Sequence, residues 1–137
     1  MTSVAITSIS CGVMGILALS YQVFIIYARN MEKVVIGAGA SKNLEKMMRG
    51  HANLMENAPI TMILLLISEL RSYAPKYILS AIALVFSIGR VLHAYAFIAK
   101  LKTSDHLKFR IPGMLTSVVA NTALVLLVLI RGIQEVM

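Results

Sequence analysis

The sequence is poor in cysteine and in charged residues. Cys11 is the only cysteine among 137 residues, so no disulfide can form within the chain, and its place in an apolar run indicates packing. Charged residues make up 14% of the chain and hydrophobic residues 58%, against roughly 45–50% in an average soluble domain. A soluble core of this size cannot bury so much apolar surface. We therefore expect one membrane domain over residues 1–137.

The N-terminal apolar run lacks the features of a cleaved signal. No Lys or Arg precedes it, and no small-x-small cleavage site leads from it into a soluble domain. This pattern predicts an uncleaved first transmembrane helix.

Acidic residues are scarce, with six Asp and Glu against thirteen Lys and Arg, which gives a net charge of +7. The basic residues occur in short runs between apolar segments and do not form a stripe with interleaved aromatic residues. We therefore expect no nucleic-acid partner and attribute the charge mainly to membrane orientation.

The apolar residues fall into four long segments. A bilayer core about 30 Å thick needs about 20 residues of helix, and the four segments meet or approach this length. The pattern predicts an all-α membrane protein, a four-transmembrane-helix bundle with helices at approximately 4–28, 43–71, 76–101 and 112–134. Pro112 is expected in the first turn of the last helix.

Basic residues are concentrated in two of the three connections. The positive-inside rule therefore places loops 29–45 and 100–112 in the cytosol, and both termini in the periplasm or lumen. The first connection and its flank carry Arg29, Lys33, Lys42, Lys46 and Arg49, the third carries Lys100, Lys102, Lys108 and Arg110, and the opposite side has Arg71, Lys76 and Arg131.

Two polar rows interrupt the apolar pattern. Arg49, Asn53 and Glu56 are spaced i, i+4 and i+7, so a helix presents them on one side. Arg90 and His93 form a second row on the third segment. An ionisable residue at membrane depth costs about 2.5–3.5 kcal/mol, so such residues usually face the protein interior, pair, or serve function.

The short connection at 71–75 makes the second and third helices antiparallel neighbours, so the two rows reach similar depth. We expect Glu56 to meet Arg90, and Asn53 or Arg49 to meet His93. On one interpretation these contacts only dock two helices, with Asn53 as interhelical hydrogen-bond partner.

A second interpretation is a ligand site, because cations outnumber the single carboxylate of the rows. Arg49 and Arg90, with His51 and His93 beside them, surround Glu56. Such a group suits a zwitterionic ligand with several carboxylates and one ammonium.

The motif R-x-H-A-N-x-x-E-N-x-P at 49–59, followed by R-x-x-H at 90–93, resembles the MAPEG family, the membrane-associated proteins in eicosanoid and glutathione metabolism. The likeness covers nearly the whole chain in its four-span layout. It implies a homotrimer with glutathione between neighbouring subunits near the cytosolic side. The glutathione-binding residues it implies are Arg29, Arg49, His51, Asn53, Glu56, Arg90 and His93.

The resemblance further implies a reaction. An arginine stabilises the glutathione thiolate, which attacks a lipophilic electrophile or hydroperoxide dissolved in membrane lipid, as in a microsomal glutathione transferase or peroxidase. In this chain the first arginine after Phe97 is Arg110, which we assign as the catalytic residue. Phe97 stands where the well-characterised enzymes have a tyrosine, so a phenol contact to the ligand is missing.

Two other functions compete with the transferase. A non-catalytic member of the family would bind glutathione or a lipid as a scaffold, and a proton-coupled exporter would use Glu56 as its carrier carboxylate. The exporter is disfavoured because Arg49 and Arg90 would keep Glu56 ionised. We expect no metal site, since His51 and Glu56 are five residues apart and the arginines would repel a cation.

Overall fold

The computed structural model describes residues 4–99 and 103–137, and within these ranges every regular element is an α-helix. The prediction of an all-α four-helix bundle is confirmed. The predicted end of the third helix at 101, with Lys100 and Lys102, lies outside the described residues. The helices are α1 Ala5–Glu32, α2 Lys42–Leu70, α3 Lys76–Ile98 and α4 Thr103–Val136.

Hydropathy identifies an integral membrane protein. In the described part of the chain, α1, α3 and the portion of α4 from Asp105 are long and apolar enough to cross a membrane. α2 is not in this group, because charged residues occupy its first half and its continuous apolar run begins only at Pro59. The bundle thus has three strongly apolar helices and one helix that is polar at one end.

Capping residues stand at both ends of the connection between α1 and α2. α1 ends at Glu32, four residues beyond the expected end at 28, and Lys33 after it adopts a left-handed conformation with φ 52°. α2 begins after Ser41, whose hydroxyl accepts a hydrogen bond from the Leu44 amide at 3.2 Å and donates one to Glu32 at 2.6 Å. Ser41 is thus an N-cap that also holds the end of α1.

α4 begins well before the expected residue 112, and Pro112 lies inside it instead of in its first turn. The early turns have local support, since Asp105 lies in the first turn, where the helix dipole favours a carboxylate. Asp105 also pairs with Lys108 at 2.9 Å. A membrane helix tolerates an internal proline when neighbouring groups satisfy the freed carbonyl. The early start puts Arg110 on a helix instead of in a loop.

Two glycines bring α3 and α4 into backbone contact. A Cβ atom at Gly89 would lie 2.9 Å from the carbonyl oxygen of Gly113, and one at Gly113 would lie 2.7 Å from the amide nitrogen of His93. Small residues at such crossings let membrane helices approach closely. This contact fixes the first half of α4 against the half of α3 that carries His93.

A third glycine packs α2 against α1 and α3. A Cβ at Gly50 would lie 2.6 Å from the Tyr21 hydroxyl and 2.7 Å from the Phe97 Cβ. Tyr21 and Phe97 are both buried. The polar half of α2 is therefore held against the bundle although its outer side carries charges.

At the other end of the bundle, Glu69 near the end of α2 caps α1. Its carboxylate accepts hydrogen bonds from the amides of Ile6 at 3.0 Å and Thr7 at 2.9 Å, and from the Thr7 hydroxyl at 2.8 Å. Val4, at the N-cap position, has no side chain that can do this. The carboxylate thus satisfies amides that the first turn of a helix leaves without partners.

Candidate functional site

A cleft with a volume of about 500 Å³ opens where α2 begins, α3 ends and α4 begins. Four of the side chains that line it are basic and two are carboxylates, with two histidines beside them. The cleft therefore has an excess of positive charge. It is lined by Lys42, Glu45, Lys46, Arg49, Ala52, Asn53, Glu56, His93, Phe97, His106, Arg110 and Met114.

The α2 wall of the cleft contains the predicted row of Arg49, Asn53 and Glu56. Arg49 forms an exposed ion pair with Glu45, one turn earlier on the same helix, at 3.3 Å. Glu56 is also exposed. This row leaves a guanidinium and a carboxylate accessible at the cleft surface.

In the described part of the chain Glu56 does not pair with Arg90, so this prediction is wrong. The Arg90 Nη2 donates instead to the Asn53 Oδ1 at 3.0 Å. The reason is orientation, because Arg90 is only 4% exposed and points into the bundle, whereas Glu56 lies on the outer side of α2. Nor does either Asn53 or Arg49 bond to His93 within the described residues.

Arg90 lies behind the cleft and does not line it. It borders a smaller cavity of about 110 Å³ that shares Asn53 and Met114 with the cleft. Its Nε is buried and has no partner among the described residues. The Arg90 guanidinium thus orients the Asn53 side chain from behind the cleft.

The opposite wall is built around the Phe97 ring. The His93 ring stacks on it with centroids 4.7 Å apart, and the His106 ring meets it edge-on at 5.1 Å. The Arg110 Cζ lies 5.4 Å from the Phe97 centroid, within range of a cation–π contact. A guanidinium and two imidazoles therefore adjoin one aromatic ring inside the cleft.

Two predicted residues lie away from this cleft. His51 packs edge-on against Tyr21 between α1 and α2, with ring centroids 5.9 Å apart. Arg29, in the last turn of α1, contacts the Met48 sulfur at 3.8 Å. The single chain therefore brings together five of the eight predicted site residues: Arg49, Asn53, Glu56, His93 and Arg110.

The structure adds lining residues that our sequence interpretation missed. Lys46 donates to the carbonyl oxygen of Ala99, just past the end of α3, at 3.3 Å. Lys42 and Lys46 continue the row upstream, since positions 42, 46, 49, 53 and 56 repeat at intervals of four and three. His106 was missed because its segment was assigned to a loop, although positions 106, 110 and 114 have helical spacing.

No metal centre is built by the described ranges, since they contain no group of three or more His, Cys, Asp or Glu side chains placed to hold an ion. The donors that converge on the cleft are instead guanidinium, ammonium, imidazole and amide groups. These groups recognise organic anions.

Comparison with known proteins adds one finding. The model of the MAPEG family matches residues 3–130 of the chain. A comparison with curated proteins found no match. The family match includes α1, α2 and α3, α4 as far as residue 130, and every residue that lines the cleft.

Proposed function

The chain belongs to the MAPEG family, so it is an integral membrane protein of a glutathione-related family, and from this premise we propose that its cleft binds glutathione. We further propose that bound glutathione reacts as a thiolate with a lipophilic electrophile or hydroperoxide. The protein is then a membrane glutathione transferase or peroxidase, and glutathione is its cosubstrate.

The observation that carries this proposal is the position of Arg110. Its guanidinium lies 5.4 Å from the Phe97 ring and lines the same cleft as Arg49, Asn53 and Glu56. The reactive form of a thiol is the thiolate, and a free thiol has a pKa of about 8.5. A fixed cation beside the sulfur lowers that pKa, and Arg110 supplies a cation that is always charged.

The charges of the cleft also match the ligand. Glutathione has two carboxylates and one ammonium, and the cleft offers four basic side chains and two carboxylates. In this proposal Arg49 binds a ligand carboxylate, Glu56 binds the ammonium, and Asn53 is oriented by Arg90. Charge-assisted hydrogen bonds of this kind are about twice as strong as neutral ones.

Exposure of the polar row supports an interface between subunits at the cleft, and we propose that the assembly is the homotrimer that the family resemblance implies. Arg49 and Glu56 lie on the outer side of α2, and Glu56 comes directly before the apolar half of this helix, where ionisable side chains usually face protein and not lipid. A neighbouring subunit would cover this side. Arg29, which lies outside the cleft in the single chain, would then complete the site across the interface, whereas His51 stays packed against Tyr21 within its own chain.

Orientation and substrate access complete the proposal. The cleft lies at the end of the bundle that carries the connections rich in basic residues, so we place it on the cytosolic side, where glutathione is supplied. The lipophilic partner would enter from the bilayer along α4, where Leu115 and Val118 are exposed close to Met114.

The test is titration of purified protein with glutathione, following heat by calorimetry and thiolate absorbance in the ultraviolet. Arg49→Ala or Glu56→Ala should weaken binding by about tenfold or more, since a hydrogen bond to a charged group contributes about 1.5–3 kcal/mol. Arg110→Ala should abolish the thiolate signal while glutathione still binds.

A matched control is Arg71→Ala, because Arg71 is also an exposed arginine in an ion pair, with Glu135 at 2.7 Å, but lies at the other end of the bundle. It should leave glutathione binding unchanged. Absence of any binding by the wild-type protein would refute the proposal. Binding without a thiolate signal would instead identify the non-catalytic scaffold.

A further inference from the structure

His106 and Arg110 adjoin the same aromatic ring from neighbouring turns of α4. The His106 ring lies edge-on to Phe97 at 5.1 Å between centroids, and the Arg110 Cζ lies 5.4 Å from the Phe97 centroid. Both side chains line the cleft. The sulfur of a ligand beside Arg110 is therefore also close to an imidazole.

A backbone contact fixes the tautomer of this imidazole. The His106 Nδ1 lies 2.7 Å from the carbonyl oxygen of Ala96. A carbonyl oxygen can only accept, so Nδ1 carries the hydrogen and donates it. In the neutral ring the lone pair is then on Nε2, at the far side of the ring from Ala96. His106 thus presents a proton acceptor in its neutral form.

The other two histidines have no such arrangement. The His93 Nδ1 and the His51 Nε2 are buried without a partner among the described residues. His51 also lies outside the cleft, against Tyr21. Within residues 4–99 and 103–137, His106 is the histidine that combines a place in the cleft with a ring nitrogen held by the backbone.

We propose that His106 is the general base that removes the proton from the glutathione thiol, an inference that rests on the proposed function above. The S–H bond breaks, its electron pair stays on sulfur, and the proton forms an N–H bond at Nε2. The products are a thiolate beside Arg110 and an imidazolium on His106. The thiolate then attacks the electrophile.

A protein base in this cleft must be a histidine or a carboxylate, because the cations of the cleft cannot serve as one. The Arg110 guanidinium stabilises a thiolate but cannot be deprotonated in a protein, so it accepts no proton. Phe97 has no hydroxyl that could relay one. Of the two carboxylates that line the cleft, Glu45 pairs with Arg49 at 3.3 Å and Glu56 is assigned to the ligand ammonium. His93 also adjoins the Phe97 ring, but its Nδ1 is buried, so we assign the role of acceptor to His106.

The charged and titratable groups that share the cleft with His106 come from three helices. α2 contributes both carboxylates and three of the four cations, α3 contributes one histidine, and α4 contributes one arginine. They are Lys42, Glu45, Lys46, Arg49, Glu56, His93 and Arg110.

The experiment measures how fast the thiolate appears after glutathione is mixed with the full-length protein, by stopped-flow absorbance in the ultraviolet. The first variant is His106→Asn, whose side-chain amide can still donate to the Ala96 carbonyl oxygen but cannot act as a base. Thiolate formation should slow by about tenfold or more, since general base catalysis typically contributes about 10²–10⁴-fold. Glutathione affinity by calorimetry should change much less.

A second variant, His106→Ala, tests proton transfer by chemical rescue. Added imidazole should restore its rate of thiolate formation in proportion to the imidazole concentration. Lys108→Gln is the control, because Lys108 is on the same helix, pairs with Asp105 on the exposed side, and does not line the cleft. It should form the thiolate at the wild-type rate.

The outcomes distinguish a failure of the His106 proposal from a failure of the proposed function. Glutathione binding with an unchanged rate in His106→Asn, or a slow rate in His106→Ala that imidazole does not restore, would overturn the role of His106 and leave the proposed function intact. Failure of the wild-type protein to bind glutathione by calorimetry would overturn the proposed function, and the role of His106 with it.

Discussion

The buried Arg90 guanidinium donates to the Asn53 side-chain oxygen at 3.0 Å and thereby joins α3 to α2. Arg90 is 4% exposed, and within the described residues Asn53 is the acceptor of its hydrogen bond. A buried charge that loses its partner is strongly destabilising. The contact therefore both holds two helices together and orients one residue of the cleft.

Replacing Asn53 tests this coupling. Asn53→Ala should lower the free energy of unfolding in detergent by about 1–3 kcal/mol, because it leaves the Arg90 donor without its acceptor. In Asn53→Ala/Arg90→Met the charge is gone, so the loss should be smaller than the sum of the two single losses. Additive losses would show that the two side chains are not coupled.

Replacing Gly113 tests the close crossing of α3 and α4. Gly113→Ala places a Cβ 2.7 Å from the His93 amide nitrogen, so the helices must separate, at a typical cost of about 1–3 kcal/mol for overpacking. Gly15→Ala is the control, since nothing lies within 4 Å of its added Cβ. Thermal unfolding should distinguish the two variants, and equal midpoints would argue against the crossing.

The helix count was predictable because the bilayer sets the length of an apolar segment. The start of α4 was not predictable. Residues 103–111 are polar enough to resemble a connection between helices, and Pro112 is typical of the first turn of a helix. Local pairing of Asp105 with Lys108 and the tight crossing at Gly113 stabilise the longer helix.

The candidate site was predictable where one helix determines it. Spacing alone aligns Arg49, Asn53 and Glu56. The partner of Arg90 depends instead on how α2 and α3 are rotated against each other. That rotation is set by contacts such as Gly50 with Tyr21 and Phe97, which the pattern of one segment cannot reveal.

Replacing Glu69 tests the cap on α1. Glu69→Ala removes the acceptor of three hydrogen bonds from Ile6 and Thr7, so we expect a loss of about 1–3 kcal/mol in the free energy of unfolding. Hydrogen exchange should speed up at the Ile6 and Thr7 amides. Thr7→Ser is the control, because it keeps the hydroxyl and the amide. Unchanged exchange in Glu69→Ala would rule out the cap.

Replacing Phe97 tests the thiolate site by a gain of function. Phe97→Tyr adds a hydroxyl to the ring that adjoins His106 and Arg110. If the sulfur lies beside Arg110, this hydroxyl can donate to the thiolate. A hydrogen bond to a charged group contributes about 1.5–3 kcal/mol, so the thiolate fraction at a fixed pH below the thiol pKa should rise by about tenfold.

The same absorbance titration measures this gain. Tyr95→Phe is the control, because the Tyr95 ring packs on Phe109 at 5.0 Å and does not line the cleft. It should leave the thiolate titration unchanged. A Phe97→Tyr protein that binds glutathione with an unchanged thiolate titration would place the sulfur away from this ring. Arg110 and His106 would then both lose their proposed roles, because the ring is the surface that they share.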